Sequence, residues 1–207
     1  MKVLFVTDGS KFHPSTRIRV LQYLPLLTLD NIEFHIHFRI LDLAPGFLNY
    51  FVFFITKRFF RLSLFFKIIF YKYDIVFIQR AIISRSELKI IKYRKKKLFY
   101  DVDDGIFLYS LSYRNGFFKM VSAANKAIVS TPFLKNYLGE NQKKAELVYS
   151  SVDESRFFGV FTKSKTKIVI GWSGSASTLK YVSSILDDIL DILNNYSYVE
   201  FHYICAI

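Results

Sequence analysis

The chain has 207 residues, of which 52% are hydrophobic, and 29 basic against 17 acidic side chains give it a formal net charge of +12. This composition excludes a disordered chain. The positive charge and the 18% aromatic content favour an anionic partner, such as a phosphorylated substrate or a membrane surface. No nucleic-acid recognition motif is present, so we do not expect nucleic acid as a partner.

Two further exclusions concern cysteine and membrane spans. Cys205 is the only cysteine, so no disulfide can form within the chain, and a reducing, cytoplasmic compartment fits. No stretch of about 18 residues is free of charge, which predicts that no helix crosses a membrane.

The chain begins with a continuous apolar run at residues 3–6, which is typical of a buried parallel strand. The following loop contains Gly9 and leads into a predicted helix with Ser15 near its cap. Arg17 and Arg19 then fall close to the strand's carboxyl end, where open α/β sheets bind ligands. Two arginines there suit phosphate or carboxylate, and the alternative is that both are simply solvated.

A second predicted strand, at residues 32–39, alternates aromatic and aliphatic side chains with His35 and His37. A His-x-His pair can bind a metal, but no further ligand lies nearby at suitable spacing. We therefore predict that both histidines are polar positions on a half-buried strand.

Residues 47–73 form a phenylalanine-rich segment with helical periodicity. One face of the predicted helix is apolar, with Ile55, Phe59, Leu62, Phe66 and Phe70. Another face is basic, with Lys57, Arg58, Arg61 and Lys72. Either this helix lies on an anionic membrane surface, or it is a core helix with a solvated basic edge.

Strands and helices alternate through the following part of the chain. Strands are predicted at 74–80, 95–105, 127–129 and 146–149, with helices at 84–93 and from 132. This alternation indicates βαβ units around a parallel sheet.

The predicted strand at 95–105 ends in three acids, Asp101, Asp103 and Asp104. A D-x-D pattern can hold a divalent metal on a nucleotide diphosphate, or the acids can orient sugar hydroxyls. The third possibility is turn chemistry, because Asp-Asp-Gly favours a turn. Three acids in a basic chain favour a binding role.

A second strand–loop–helix unit is predicted after residue 166. A strand at 167–170 is followed by a small-residue loop, a helix at 179–193 and a strand at 198–206. The loop residues Gly171, Ser173, Gly174 and Ser175 could present backbone N–H groups to a phosphate. The pattern matches neither a Walker loop nor G-x-G-x-x-G, and Gly/Ser turns after strands are commonly structural.

Taken together, these motifs resemble the retaining, family-4-like glycosyltransferases of the GT-B fold. The most specific of them are Ser-Thr-x-x-Leu at 130–134 and Val-Asp-x-x-x-Phe at 152–157. The others are Asp8-Gly9, Ser15-x-Arg17-x-Arg19, Gln79-Arg80, Asp101-Val-Asp-Asp-Gly and Gly171-Trp-Ser-Gly-Ser.

The resemblance implies transfer of a sugar from a nucleotide-diphosphate donor to a glycan or lipid-linked acceptor in surface polysaccharide biosynthesis. Acceptor-binding positions would be Gly9, Ser15, Arg17, Arg19 and Arg80. Asp103 and Asp104 would contact the substrate sugars, as the catalytic pair. Gly171, Ser173, Gly174 and Ser175 would approach the donor diphosphate. The resemblance implies neither a bound metal nor a cofactor, whereas a metal-dependent GT-A enzyme is the rival on the D-x-D pattern alone.

We expect a Rossmann-like acceptor domain at 1–150, a linker at 151–166, and at 167–207 the incomplete start of a nucleotide-sugar domain. Because the family's later acidic motif has no counterpart here, the expected product is a fragment, a frameshifted chain or half of a split enzyme, inactive alone and completed by a donor-domain chain. The expected location is the cytoplasm, at the inner face of the membrane. A non-catalytic membrane-surface or glycan-binding module is the alternative function.

Overall fold

The computed structural model describes residues 1–38, 47–154, 166–175 and 178–206. The chain divides into two compact units, Met1–Glu154 and Ser155–Ile207. Most of the predicted linker, at 155–165, lies outside the described residues.

A six-stranded parallel sheet forms the centre of the first unit. Its strands are β1 (Lys2–Thr7), β2 (Glu33–Phe38), β3 (Ile75–Gln79), β4 (Lys97–Val102), β5 (Lys126–Val129) and β6 (Ala145–Leu147). They are ordered β2-β1-β3-β4-β5-β6, and every neighbouring pair is parallel. The prediction of an α/β, Rossmann-like fold is confirmed.

Helices connect these strands on both sides of the sheet. They are α1 (Pro14–Arg19), α2 (Leu24–Leu29), α3 (Phe47–Phe70), α4 (Arg85–Tyr93), α5 (Leu111–Ala123) and α6 (Pro132–Tyr137). Short 3-10 turns lie at Leu21–Tyr23, Ile106–Leu108 and Gly139–Lys144. Of the helices that the structure describes, none is both long and apolar enough to cross a bilayer.

Alternate strand residues enter two separate cores, which explains why the strand sequences are continuously apolar. Leu4, Val76 and Tyr100 belong to the larger core, together with side chains of α3, α4 and α5. Val3 and Phe5 point into the smaller core, which Val20, the following 3-10 turn and α2 cover.

The predicted first helix is interrupted, and Ser15 is not its cap. His13 occupies the N-cap position without a side-chain cap bond, and Pro14 begins α1. The helix ends after six residues, and a second proline, at the start of α2, fits the first turn of a new helix rather than the interior of a continuous one.

The second unit contains a two-stranded parallel sheet and two helices. Its elements are β7 (Ile168–Ser175), α7 (Leu179–Ser183), α8 (Leu186–Asn195) and β8 (Val199–Ala206). The predicted helix at 179–193 is divided in two where the hydroxyls of Ser183 and Ser184 donate to the carbonyls of Leu179 and Tyr181. Such side-chain bonds compete with helix continuation.

Candidate functional site

The carboxyl ends of β1, β3 and β4 meet because the parallel strands are in register: Thr7 pairs with Gln79, and Gln79 pairs with Asp101. A cavity of about 390 Å³ opens beside this edge, within the first unit. Its lining comes from Asp8 directly after β1, from α3, from the segment after β3, from the 3-10 turn at Ile106–Leu108 with Tyr109, and from α4 and α5.

Hydroxyl and charged groups make up much of the cavity wall. The hydroxyl groups belong to Ser84, Tyr109, Ser112 and Tyr113, and the charged groups to Asp8, Arg61, Arg80, Glu87 and Lys119. Ile82, Ile83, Ile106 and Phe60 provide apolar surface. Basic groups, hydroxyls and a few apolar side chains are the surroundings that suit a phosphorylated, polyhydroxylated ligand.

Arg80, the residue directly after β3, has a left-handed backbone with φ of 62°. A residue with a Cβ atom rarely adopts this conformation, and its persistence requires support from neighbours. Here the Arg80 N–H donates to the carbonyl of Asp101 at 2.8 Å, and the hydroxyl of buried Tyr100 donates to the Arg80 carbonyl at 3.4 Å. Asn31 and Lys95 have a similar backbone, but of these three residues Arg80 is the one in the cavity wall, and strain of this kind concentrates at functional sites.

The Arg80 guanidinium links three side chains at the strand ends. One terminal nitrogen donates to Asp104 at 3.0 Å and the other to the Tyr109 hydroxyl at 3.2 Å. The Nε atom lies 3.9 Å from a carboxylate oxygen of Asp8. Because the Asp104 side chain is 53% exposed, this pair can be rearranged by a ligand at low cost.

Glu87 lines the cavity from α4. It forms a capping box with Ser84: one carboxylate oxygen accepts the Ser84 N–H at 2.6 Å, while the Glu87 N–H donates to the Ser84 hydroxyl at 3.3 Å. The other oxygen, Oε1, is buried and has no hydrogen-bond partner in the part of the chain that the structure describes. A ligand hydroxyl could satisfy it.

Lys119 adds a second basic group from α5. Its Nζ donates to the carbonyl of Ile83 at 2.6 Å. Burial, together with the charges of Arg85 and Arg61, lowers the pKa of Lys119, while Glu87 opposes that shift. An anionic ligand would reverse the shift by adding an opposite charge.

Arg19, predicted to bind the acceptor, has a different role. It is 6% exposed, and its guanidinium donates twice to the buried carboxylate of Asp101 and once to the carbonyl of Val148, at 3.0 Å. Burial raises the pKa of Asp101 to about 6, although the adjacent Arg19 favours the charged form. With these three bonds made, Arg19 holds the sheet edge together and is not available to a ligand.

The other predicted acceptor residues do not line the cavity. Gly9 is buried, and a Cβ atom at that position would overlap the His13 side chain, so glycine is required there for packing. Ser15 is half-buried and Arg17 is exposed on α1. Of the predicted acceptor set, Arg80 is the member found in the cavity wall.

The two predicted catalytic acids differ in environment. Asp104 pairs with Arg80, as described above. Asp103 is half-buried, its carbonyl accepts the Ser130 hydroxyl at 2.9 Å, and its Oδ1 atom has no hydrogen-bond partner within the described ranges. Among the residues described, no three His, Cys, Asp or Glu side chains converge as a metal site.

The prediction of a loop at the candidate phosphate site of the second unit is wrong, because the structure has a strand there. Gly171, Ser173, Gly174 and Ser175 lie in β7 and pair with β8 as far as Ser175 opposite Ala206. A Cβ atom at Gly174 would overlap the Trp172 ring and lie close to the Thr178 hydroxyl. The backbone there forms a strand, Gly174 makes room for the Trp172 ring, and a Cβ atom at Gly171 would meet no atom within 4 Å.

Several cavity residues were not singled out from the sequence: Ser84, Glu87, Tyr109, Ser112, Tyr113 and Lys119. The spacing Ser-x-x-Glu at 84–87 is a recognisable capping box after a strand and could have identified the first two. The α5 residues carry no comparable motif.

Solved structures share the fold of this chain. The apo form of a lipopolysaccharide outer core galactosyltransferase, WaaB, matches all of the chain with a TM-score of 0.55 and 14% identity, over 61% of its own length. The glycotransferase of kitacinnamycin matches 98% of the chain with a TM-score of 0.54 and 8% identity, over 65% of its length. The chain therefore spans less than two thirds of the length of these glycosyltransferases, whose GT-B fold it shares.

Comparison of the sequence with known families and curated proteins identifies no relative. No protein-family model matches the chain, and a search of curated proteins finds no match.

Proposed function

We propose that this chain belongs to a retaining, family-4-like glycosyltransferase and that its first unit binds the acceptor. The observation on which the proposal rests is the cavity at the strand ends, with the strained Arg80 in its wall. The fold shared with two glycosyltransferases supports the reaction class. The donor is a nucleotide-diphosphate sugar, and the acceptor is a glycan or lipid-linked glycan.

In this proposal polar groups in and beside the cavity have separate tasks, with Asp103 and Asp104 lying outside the cavity lining. Arg80 and Lys119 bind a phosphate of the acceptor, because both are cations in the cavity lining and match its charge. The unpartnered oxygen of Glu87 accepts a sugar hydroxyl. Asp104, held by Arg80 at 3.0 Å, contacts the reacting sugar, and Asp103 supports it from the preceding position.

Binding tests the proposal without requiring turnover. Titration calorimetry with a hexose 1-phosphate should give saturable binding to the 207-residue chain, and the neutral hexose should bind at least about tenfold more weakly. Arg80→Met should reduce affinity for the phosphate ester by about tenfold or more. Arg94→Met, which removes an exposed arginine between α4 and β4, is the matched control.

Two results would contradict the acceptor assignment. One is equal affinity of the Arg80 and Arg94 variants, and the other is equal affinity for the charged and neutral sugars. For the reaction itself, the expected outcome is transfer of label from a nucleotide sugar into a glycan or lipid fraction by the complete enzyme, with loss of transfer in Asp104→Asn.

A non-catalytic membrane-surface module is the second candidate function. The specific observation in its favour is the exposed apolar face of α3.

A further inference from the structure

Two opposite faces of α3 are apolar. The inner face contributes Phe60, Leu64 and Ile68 to the larger core. On the outer face lie the five residues of the predicted apolar face, with exposures of 39, 65, 53, 48 and 70% for Ile55, Phe59, Leu62, Phe66 and Phe70. A helix that is apolar on both sides is expected to be covered on both sides, because such surface is costly to leave in water.

The exposed residues form one continuous stripe, which we call the outer stripe of α3. They follow each other at intervals of three or four residues, so they line up along the helix axis over about 22 Å. The rings of Phe66 and Phe70 stack with centroids 5.7 Å apart. A straight row of large apolar side chains suits a flat surface better than a pocket that takes one anchor residue.

Basic residues border the outer stripe. Arg58 and Arg61 are exposed on one flank, and Lys72 is exposed just after the helix ends. On the other flank, the half-buried Lys67 donates to the carbonyl of Ile36 at 3.3 Å. Residues 47–73 contain five basic residues and no acidic residue.

We propose that the outer stripe docks on the surface of an anionic lipid bilayer. Apolar side chains would enter the boundary between headgroups and acyl chains, and the flanking cations would contact lipid phosphates. A second copy of the same face is a poor occupant, because a symmetric contact would bring like charges together.

This docking goes beyond sugar transfer, but it also bears on the proposed acceptor. Phe60 and Arg61 of the same helix line the cavity, so a docked α3 keeps the cavity beside the lipid surface. That arrangement suits an acceptor anchored in the bilayer, and this last point rests on the proposed function.

The test is vesicle co-sedimentation of the full 207-residue chain. Vesicles of phosphatidylcholine with about 30% phosphatidylglycerol should bind the protein at least about tenfold more strongly than pure phosphatidylcholine vesicles, and added salt should weaken binding. Phe59→Ser/Phe66→Ser/Phe70→Ser should lower the partition coefficient at least about tenfold. Arg58→Glu/Lys72→Glu should lower the partition coefficient by a similar factor on the anionic vesicles but not on the pure phosphatidylcholine vesicles.

The matched control is Leu29→Ser/Tyr93→Ser/Phe133→Ser, which removes three large side chains that are 77, 84 and 64% exposed on other elements of the first unit. It should bind like the unchanged chain. Thermal unfolding of both triple variants should match that of the unchanged chain, because the replaced side chains are exposed. If the Phe triple variant unfolds, the folded Arg58/Lys72 variant still decides the question.

The proposal is overturned if the unchanged chain does not bind anionic vesicles, or if it binds neutral vesicles equally well. It is also overturned if the Phe triple variant and the Arg58/Lys72 double variant both bind as strongly as the unchanged chain. A further contradicting result is a chain that does not bind vesicles but forms a dimer in sedimentation velocity, with the Phe triple variant remaining monomeric. The assay contains neither nucleotide sugar nor acceptor, so docking and sugar transfer can fail independently.

Discussion

Arg19 and Arg80 reach the same carboxyl edge of the first sheet from different layers. Arg19 comes from α1 and is buried, and its guanidinium donates hydrogen bonds to Asp101 and to the carbonyl of Val148. Arg80 follows β3, faces a cavity, and pairs with the exposed Asp104. A basic side chain at the end of a parallel strand is therefore not by itself a ligand-binding group: its role depends on whether the protein already satisfies its charge.

Removing Arg19 should have the largest effect on stability. Arg19→Met leaves the Asp101 carboxylate buried without its partner, and we expect a loss of about 3–5 kcal/mol in the free energy of unfolding, measured with urea. The double variant Arg19→Met/Asp101→Leu should recover most of that loss, because no buried charge remains. A small effect of the single variant would mean that the pair is solvated and the contrast with Arg80 is false.

His37 sharpens the contrast, since it is a buried ionisable group with no acidic partner described. Burial, and secondarily the charge of Lys67, lowers the pKa of His37 to about 4, while its ring donates to the Phe60 carbonyl at 3.2 Å. Its neutral form is favoured on folding, so its stability contribution is complete above the unfolded pKa of 6.5 and falls as pH drops towards 4.

The expected loss over that interval is about 3 kcal/mol. Urea unfolding between pH 7 and 4 measures it, and His37→Gln should flatten this part of the profile. His202→Gln, in the second unit, is the control. An unchanged slope in the His37 variant would show that other groups dominate acid sensitivity.

Replacing Arg80 should have a small effect on stability and a large effect on ligand binding. Arg80→Gly removes the pairing with Asp104 but relieves a φ of 62°, so we expect stability to change by less than about 1 kcal/mol. Affinity for a hexose 1-phosphate should nevertheless fall by about tenfold or more. Strong destabilisation together with unchanged binding would make Arg80 a second structural arginine and abolish the distinction.

Asp104→Asn should have the smallest effect on folding. Its side chain is 53% exposed, and pairs of this kind contribute roughly 0–1 kcal/mol. Thermal unfolding should barely shift, whereas sugar transfer by the complete enzyme should be lost. Normal transfer would remove Asp104 from the proposed reaction.

Local patterns predicted the sheet well because its central strands appear as short, largely buried apolar runs, as at residues 3–6 and 75–78. They could not identify the partner of Arg19, since Asp101 lies 82 residues away. At Gly171–Ser175, small residues predicted a loop, but pairing with β8 outweighed their weak strand propensity.

The phenylalanine-rich helix also shows what a local sequence pattern cannot predict. Periodicity correctly grouped Ile55, Phe59, Leu62, Phe66 and Phe70 on one face. A second apolar row, Phe60, Leu64 and Ile68, has the same spacing, and it is the row that packs in the core. With two apolar rows on one helix, only the position of the sheet decides which is buried.

The bonds of Arg19 also have a kinetic consequence. They join position 19 to positions 82 and 129 residues further along the chain, so they form only when β4 and the segment after β6 have reached the sheet edge. We expect these side-chain bonds to form after the sheet, and interactions that are absent from the transition state act on the unfolding rate. The Arg19 pair should therefore govern how slowly the first unit opens more than how quickly it folds, and stopped-flow unfolding of Arg19→Met should show this as faster unfolding with a nearly unchanged refolding rate.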